Sequence, residues 1–306
     1  MDSIARLDPA EVRRTLRDAG LRPRHSLSQN FLVDVDVLER ILAEAAPTTG
    51  RAVLEIGPGL GILTGALLEA GAAVTAIELD AGLAARLRDR FAGAIARAAD
   101  HPAGSGAPGA LSLIEGDALD EPLTRVCPAP YDVVANLPYH ITSPILHRLL
   151  GEPPRPERLV LMVQREVAER IAARPGKMSY LSVFVQYHAA VRLALRVPPS
   201  AFEPAPEVDS AVIVVSPFPP DDRLDPAAED ELWRLVQAAF RERRKMIHNV
   251  LARQLGLPAE RVAAGLAAAG IAPDRRPQTL AVGEWLRLLE TLGPLGPDRR
   301  GRLPER

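Results

Sequence analysis

Four consecutive residues near the middle of the chain combine an amide, a proline and an aromatic ring: Asn136, Leu137, Pro138 and Tyr139. They follow an apolar run at 131–135, which predicts a buried parallel strand, and in open α/β sheets ligands bind just beyond the carboxyl ends of such strands. An amide oxygen and nearby backbone carbonyls can accept hydrogen bonds from an exocyclic amine, while a tyrosine ring can stack on a flat base. The pattern therefore indicates a site for an amino-bearing base. The alternative is an ordinary strand end followed by a proline turn.

A glycine-rich segment at 55–61 lies between a predicted strand and a predicted helix. Glycines there let the backbone pass close to a ligand. Dinucleotide-binding enzymes carry similar loops, but Pro58 follows Gly57 here, and Ile62 stands where the third glycine of that motif would be. Acids follow at the ends of the next two strands, where they can accept from the ribose hydroxyls and the adenine amine of S-adenosylmethionine. The resulting set favours this cofactor over NAD, and comprises Glu55, Gly57, Gly59, Gly61, Glu78, Asp117 and Asn136.

Composition limits the remaining possibilities. With 306 residues, 47% of them hydrophobic, the chain can bury a large core and a smaller second one. The net charge of −2 means that any nucleic-acid site must be a local patch. Cys127 is the single cysteine, which excludes an internal disulfide and a cysteine-based zinc site, so no metal is expected. No stretch of 18 apolar residues and no leader-like segment occurs, which predicts a soluble intracellular protein.

The elements that position these residues alternate between strands and helices. This alternation predicts an α/β fold with a Rossmann-like sheet that is covered by helices on both faces. Helices are predicted at 9–20, 34–46, 60–70, 82–91 and 143–150, and strands at 52–56, 73–77, 111–115, 131–135 and 158–164, with 208–218 closing the sheet. Residues 93–110, rich in Ala, Gly and Pro, are predicted to be a mobile surface insertion.

The character of the chain changes after residue 219. Short helices are predicted at about 226–240, 244–255, 259–269 and 280–292, which make a small α-helical domain. The predicted division is therefore 1–219 for the α/β domain, with an N-terminal lid and helix at 1–46, then 220–292 for the helical domain. Residues 293–306, rich in Pro, Gly and Arg, are predicted to be a disordered tail.

Over nearly its whole length the chain resembles the bacterial small-subunit (16S) rRNA adenine N6,N6-dimethyltransferases. The resemblance is carried by segments 28–32, 55–61, 77–80, 116–118, 136–142, 164–167, 197–202, 204–212 and 240–251. The chain departs from the family at Ser28, where glycine is usual, at Arg24, where lysine is common, and in a shortened 175–180 segment. These departures bear chiefly on the N-terminal lid.

The resemblance implies roles for individual residues. Asn30 and Leu32 would contact S-adenosylmethionine from the N-terminal segment, and Gly57 would line its methionine part. Glu78 would bind the ribose, Asp117 the adenine, and Asn136 would join the cofactor to the target amine. The Asn136 side chain and the Leu137 or Pro138 carbonyl would accept the amine hydrogens, which makes adenine N6 more nucleophilic without a dedicated base. Tyr139 and Phe202 would stack on the flipped base, although packing of Phe202 in the core explains it nearly as well.

Segment 240–251 predicts one helix with a cationic side. At about 100° per residue, Phe240, Ile247, Val250 and Leu251 form an apolar stripe, with Arg243 projecting into it. Arg241, Arg244, Lys245 and His248 share the adjacent arc. A solvated charged face is one interpretation; given the family, we predict contact with RNA phosphates.

The implied function is S-adenosylmethionine-dependent dimethylation of two adjacent adenosines in a 3′-terminal hairpin of 16S rRNA, contributing to ribosome biogenesis. The implied partner is that RNA within the small ribosomal subunit or its precursor, with no membrane involved, and the protein would act as a cytoplasmic monomer. Two alternatives remain: a 23S rRNA adenine methyltransferase of the macrolide-resistance type, and a ribosome-assembly factor for which catalysis is secondary. A nicotinamide dehydrogenase is disfavoured by the loop at 55–61. His140 is interpreted as structural or as a minor RNA contact.

Overall fold

A computed structural model describes residues 9–18, 20, 29–99, 107–126, 130–219 and 223–295, without the side chain of residue 125. Arg24, Ser28, Cys127 and most of the predicted tail therefore lie outside the described residues. Among the described residues the strands are β1 Phe31–Leu32, β2 Ala52–Ile56, β3 Ala73–Glu78, β4 Leu111–Glu115, β5 Tyr131–Asn136, β6 Arg158–Gln164, β7 Ala189–Val197, β8 Phe202–Glu203 and β9 Ser210–Pro217. The α-helices are α1 Pro9–Asp18, α2 Val35–Ala45, α3 Ile62–Glu69, α4 Ala81–Arg90, α5 Ala92–Ala99, α6 Leu123–Val126, α7 Thr142–Gly151, α8 Arg165–Ile171, α9 Tyr180–His188, α10 Pro226–Phe240, α11 Ile247–Leu255, α12 Ala259–Ala268 and α13 Val282–Leu292.

The main sheet has the strand order β4-β3-β2-β5-β6-β9-β7. Strand β2 pairs in parallel with both β3 and β5, β3 pairs in parallel with β4, and β5 with β6. The carboxyl ends of these strands therefore lie at one edge of the sheet. Because the chain moves outward in one direction to β3 and β4 and in the other to β5, that edge contains the topological switch point where α/β sheets bind ligands.

The far side of the sheet differs from the prediction. Strand β9 runs antiparallel to β6 and does not close the sheet, because β7 lies beyond it. The sequence of β7 was not recognised as a strand. Its two arginines, Arg192 and Arg196, are exposed, and Arg192 forms an ion pair with Glu44 at 2.5 Å. Charged side chains of this kind are usual on edge strands, which must avoid pairing with other chains.

Helices cover the sheet with apolar faces. In α2 the buried side chains are Val37, Leu38, Ile41 and Ala45, spaced as one helical stripe. The Asp34 side chain caps this helix by accepting a hydrogen bond from the Val37 N–H at 3.0 Å. Each fully buried aliphatic side chain of this core stabilises the fold by roughly 1.5–3 kcal/mol.

The predicted insertion at 93–110 is partly wrong. Residues 92–99 form α5, in which Ala94 is buried against the main core. The Arg97 guanidinium donates to the Gly109 carbonyl at 2.8 Å and so fastens the end of this segment. Residues 100–106 lie outside the described part of the chain.

The chain divides into two compact units, 1–168 with 191–217, and 169–190 with 218–306. The second unit thus includes 169–190, which the sequence placed in the α/β domain. The reason is that α9 supplies Val183 and Tyr187 to the core that contains Trp285 of α13. The start of the predicted tail is also ordered, since Leu295 is buried in that core and its N–H donates to Glu231 Oε1 at 3.1 Å.

None of the helices in the described part of the chain is both long and apolar enough to span a membrane.

Candidate cofactor and catalytic site

A cavity lies at the carboxyl ends of β2, β3 and β5. It brings together most of the residues that the sequence singled out. The predicted residues on its lining are Asn30, Leu32, Glu55, Gly57, Gly59, Glu78, Asp117, Asn136, Leu137, Pro138 and Tyr139. The exposed His140 also lines it. Two predicted residues, Gly61 and Phe202, are not on the lining.

Asn136 is the last residue of β5 and pairs with Met162 in β6. The Leu137 N–H extends this pairing by donating to the Met162 carbonyl at 3.0 Å. Across the cavity, the Asn136 side-chain NH₂ donates to the Asn30 carbonyl at 3.3 Å. Because the nitrogen end of the amide is directed to the N-terminal segment, the oxygen end is the acceptor that this side chain offers to a ligand.

The residues after Leu137 turn sharply to begin α7. The Pro138 carbonyl accepts from the Ile141 N–H at 3.1 Å, and the Thr142 hydroxyl donates to the Tyr139 carbonyl at 3.2 Å. The Tyr139 hydroxyl lies 2.7 Å from Ser210 Oγ. Burial raises the pKa of Tyr139, and its hydrogen bond with Ser210 only partly offsets this, so the phenol is neutral at physiological pH.

Gly57 brings the loop after β2 close to this turn. Its φ of +69° is in the left-handed region, and a Cβ there would lie 3.3 Å from Pro138 Cδ. A larger residue at position 57 would therefore disturb the close contact between this loop and the 136–139 segment. Gly61 has a different role, because a Cβ on it would lie 2.5 Å from the Phe91 ring. Gly61 thus serves the packing of α3 against α4.

Glu78 is a buried acid at the end of β3 and is 5% exposed. Its two oxygens accept from the Gly59 N–H at 3.0 Å and from the Asp80 N–H at 2.9 Å. Burial raises its pKa and the Asp80 charge adds to this, while the backbone hydrogen bonds oppose it. A carboxylate has about four acceptor positions, so Glu78 can still accept from two ribose hydroxyls.

Glu55 lies deeper, at the end of β2, and its oxygen accepts from Thr64 Oγ1 at 2.6 Å. Burial raises the pKa of Glu55 to about 8, with a contribution from the Glu78 charge, while the Thr64 hydrogen bond lowers it. The group is therefore mostly protonated at neutral pH. A cationic ligand in the cavity would favour its ionised form.

Asp117 lies in the turn after β4, where its side chain accepts from the Leu119 N–H at 2.8 Å. Arg148 of α7 fastens this turn, because its guanidinium donates to the Ala118 carbonyl at 2.7 Å and to the Glu121 carbonyl. Sequence reasoning missed Arg148, since its partners are backbone carbonyls that leave no pattern.

Leu79 was also missed. It lines the cavity beside Glu78 and is 51% exposed. The available signal was a large apolar residue directly after an acid at a strand end. A side chain of this kind offers an apolar surface to an adenine ring.

Helix α1 covers the glycine-rich loop. Val12 and Leu16 of α1 share a buried cluster with Leu60 and Leu83, which both line the cavity. Arg13 fixes the helix further through an ion pair with Glu203 at 2.8 Å. Helix α1 therefore packs behind residues of the cavity wall, and residues 29–32, which follow it in the chain, line the cavity.

Phe202 packs in the main core and is 3% exposed. It pairs with Leu32 between β8 and β1, and its ring does not line the cavity. Of the two interpretations of Phe202 drawn from the sequence, its placement agrees with core packing rather than with stacking on a base.

The single-helix geometry that the face prediction assumed over 240–251 is wrong, although the two separate helices predicted at about 226–240 and 244–255 are present. Helix α10 ends at Phe240 and α11 begins at Ile247, with turns between them. Met246 has an extended backbone (ψ 138°), and the Ile247 N–H donates to the Arg275 carbonyl at 2.7 Å instead of within a helix. The apolar residues Ile247, Val250 and Leu251 are buried as expected.

The predicted cationic arc is consequently divided. Arg241 donates to Gln254 Oε1 at 3.4 Å, and His248 Nε2 lies 3.2 Å from the Ala259 carbonyl. Residues 243–245 are exposed and form what we call the cationic turn: Arg243, Arg244 and Lys245. The prediction that Arg243 projects into the apolar side is wrong.

In the described ranges, no group of three or more His, Cys, Asp or Glu residues could hold a metal ion.

The chain is similar to known proteins in both sequence and structure. The profile of the ribosomal RNA adenine dimethylase family matches residues 20–293. A ribosomal RNA small subunit methyltransferase A of Geobacter sulfurreducens is 41% identical over 90% of this chain and 98% of its own length. Among solved structures, the 23S rRNA methyltransferase ErmE has a TM-score of 0.65 and 31% identity, and covers 86% of this chain and 99% of its own. A dimethyladenosine transferase from Plasmodium falciparum has a TM-score of 0.67 and 26% identity, and covers 84% of this chain and 95% of its own. These likenesses confirm the predicted fold class.

Proposed function

The chain belongs to the ribosomal RNA adenine dimethylase family, and from that premise we propose which RNA it modifies and how its residues do so. It is an S-adenosylmethionine-dependent rRNA adenine dimethyltransferase. We propose that its substrate is 16S rRNA in the small ribosomal subunit or its precursor, where it modifies two adjacent adenosines of a 3′-terminal hairpin. The observation that carries the proposal is the placement of Asn136 at a strand end in the same cavity as Glu78 and Asp117.

The residues present fit S-adenosylmethionine. Glu78 is a buried acceptor with a raised pKa, which two ribose hydroxyls would satisfy. Gly57 leaves a space beside Pro138 that a Cβ would fill. We assign the ribose to Glu78, the adenine amine to Asp117 with Leu79 against the ring, and the methionine part to Gly57 and Asn30. When bound, the cofactor supplies an activated methyl group on a sulfonium.

The protein's task is to make the adenine N6 nucleophilic, because its lone pair is delocalised into the ring. The Asn136 amide oxygen accepts one amine hydrogen. We assign the second hydrogen to the Leu137 carbonyl, since the Pro138 carbonyl already accepts from the Ile141 N–H. Positive charge that develops on the nitrogen is stabilised by these two preorganised oxygens. After the first transfer the methylated nitrogen is positively charged and releases one proton to solvent. One hydrogen then remains, and the Asn136 oxygen is sufficient to hold it.

Tyr139 holds the target base. A base in a duplex or a stacked loop must leave its stack to reach the cavity. The Tyr139 side chain lines the cavity directly after the acceptor carbonyl, so its ring can stack on a base whose amine reaches Asn136. Stacking of this kind contributes roughly 1–3 kcal/mol per base.

One observation favours the small subunit over the large one. The Geobacter relative, named for the small subunit, is 41% identical over 90% of the chain, whereas the 23S enzyme is 31% identical over 86%.

The second unit is proposed to bind RNA, with phosphates contacted by the cationic turn rather than by Arg241 and His248, which are engaged within their own unit. The proposed enzyme acts as a monomer in the cytoplasm, where ribosomal precursors are assembled.

Asn136→Ala tests the catalytic assignment. Loss of one preorganised polar group should lower the rate of methyl transfer to undermethylated small subunits by about 10²-fold, while calorimetry shows S-adenosylmethionine still bound. Asn249→Ala, at an exposed asparagine of the second unit, is the matched control and should keep the wild-type rate. A near-normal rate in the Asn136→Ala enzyme would remove Asn136 from the reaction.

A further inference from the structure

Ser210 makes a contact that the proposed reaction does not yet use. Its hydroxyl lies 2.7 Å from the Tyr139 hydroxyl, although the two residues are 71 positions apart. Ser210 is fully buried, whereas Tyr139 is half-buried and lines the cavity. The buried serine therefore contacts the phenol oxygen of a residue that lines the cavity.

The sheet fixes the positions of Ser210 and Asn136 relative to each other. Ser210 opens β9 and pairs with Gln164 of β6. Two residues earlier in β6, Met162 pairs with Asn136 at the end of β5. Because both pairings involve the same strand, the position of Ser210 is fixed relative to the amide that accepts the target amine.

Tyr139 is thus held at both of its ends. Its carbonyl accepts from the buried Thr142 hydroxyl at 3.2 Å, and its phenol oxygen bonds to Ser210. Either hydroxyl can donate in this bond. Because the O–H and the acceptor positions of a phenol both lie near the plane of its ring, the bond to Ser210 favours one ring plane as well as one position of the ring. Burial keeps the phenol protonated, which preserves this contact across the physiological pH range.

We propose that Ser210 is a positioning residue that anchors the Tyr139 ring, so that a stacked adenine presents its amine to Asn136 in the reactive geometry. The proposal rests on the stacking role assigned to Tyr139. Correct orientation of reacting groups is a large source of rate enhancement, and small misplacements are costly. The anchor acts twice on each adenosine, because the monomethylated base must be held in the same orientation for the second transfer.

The test compares Ser210→Ala, Tyr139→Phe and the double variant on undermethylated small subunits. Both single changes delete the same hydrogen bond. Each should lower the methyl-transfer rate by roughly 3- to 10-fold, the range for one neutral hydrogen bond, and the double variant should be no slower than the slower single one. S-adenosylmethionine affinity should stay unchanged. Nucleoside mass spectrometry should show a larger fraction of monomethylated adenosine, which a merely structural role for Ser210 would not produce.

Ser182→Ala is the matched control. Ser182 is equally buried and its hydroxyl donates to the Arg170 carbonyl at 2.6 Å in the second unit. This variant should lose stability without changing the fraction of monomethylated product. If Ser210→Ala does not fold, Tyr139→Phe alone decides, because it removes the hydrogen bond without altering the buried strand.

The possible outcomes separate this inference from the proposed function. If Tyr139→Ala is inactive while Tyr139→Phe and Ser210→Ala match the wild type, the stacking role stands and the anchor is refuted. If the two losses multiply in the double variant, Ser210 acts through something other than Tyr139 and the anchor is again refuted. Full activity of Tyr139→Ala would instead overturn the stacking role itself.

Discussion

Replacing Glu55 by glutamine should make the protein more stable at pH 8 and remove much of its pH dependence. Burial raises the pKa of Glu55 from the usual 4.5 to about 8. Between these values the folded protein binds more protons than the unfolded chain, so the free energy of unfolding falls as the pH rises. The contribution of protonated Glu55 to the free energy of unfolding is fully present below about pH 4.5. It is lost as the pH rises to about 8.

The size of the effect follows from the shift. Each pKa unit corresponds to about 1.4 kcal/mol, so the wild type should lose on the order of a few kcal/mol between pH 5 and pH 8. Glutamine keeps an oxygen that can accept the Thr64 hydroxyl, which donates to Glu55 at 2.6 Å. The variant should therefore match the wild type near pH 5 and exceed it at pH 8. A weaker slope of the same sign should remain, because burial also raises the pKa of Glu78.

Urea denaturation of both proteins at pH 5, 6, 7 and 8 measures these differences. Glu260→Gln, at an exposed glutamate of α12, serves as the control and should follow the wild-type curve. The reasoning is refuted if Glu55→Gln shows the wild-type slope, or if it is the less stable protein at pH 8.

Two further predictions concern binding. Glu78→Ala should weaken S-adenosylmethionine binding by roughly 10- to 100-fold, because hydrogen bonds to a charged acceptor are lost. Calorimetry measures this affinity and should show no NAD binding by the wild type. An unchanged affinity of the variant for S-adenosylmethionine would contradict the ribose assignment. Reversing Arg244 and Lys245 to glutamate should weaken binding to undermethylated small subunits and lower the magnitude of the log-affinity versus log-salt slope by about 0.7 to 0.9 per contact, with cofactor affinity unchanged. Reversal of the exposed Arg174 and Lys177 is the control, and an equal effect of both pairs would leave the cationic turn as a solvated surface.

The sequence predicted the cavity well for a geometric reason. Parallel strands end at the same edge of a sheet, so residues that follow them in sequence are neighbours in space. Asn136, Glu78 and Asp117 could therefore be grouped from local patterns alone. Ser210 and Arg148 could not, because the contact of Ser210 with Tyr139 depends on the antiparallel pairing of β9 with β6, and Arg148 bonds to carbonyls 27 and 30 residues away.

The length of the break between α10 and α11 was underestimated for a different reason. Residues 241–245 are all Arg, Glu or Lys, which are good helix formers, so local propensity extended the second predicted helix back to about residue 244, and the face prediction treated 240–251 as one helix. Tertiary contacts overrode that preference, since the first N–H groups of α11 donate to the Arg275 and Pro273 carbonyls. The break changes which cations are exposed, and it is why Arg243 replaces Arg241 in the proposed RNA contact.

The most direct test of the central claim is to offer undermethylated small and large ribosomal subunits separately to the purified protein with methyl-labelled S-adenosylmethionine, and to map the labelled nucleosides. The account predicts label only in small-subunit RNA, on two adjacent adenosines near the 3′ end, each carrying two methyl groups on N6. Label in large-subunit RNA, or on a base other than adenine, would contradict it.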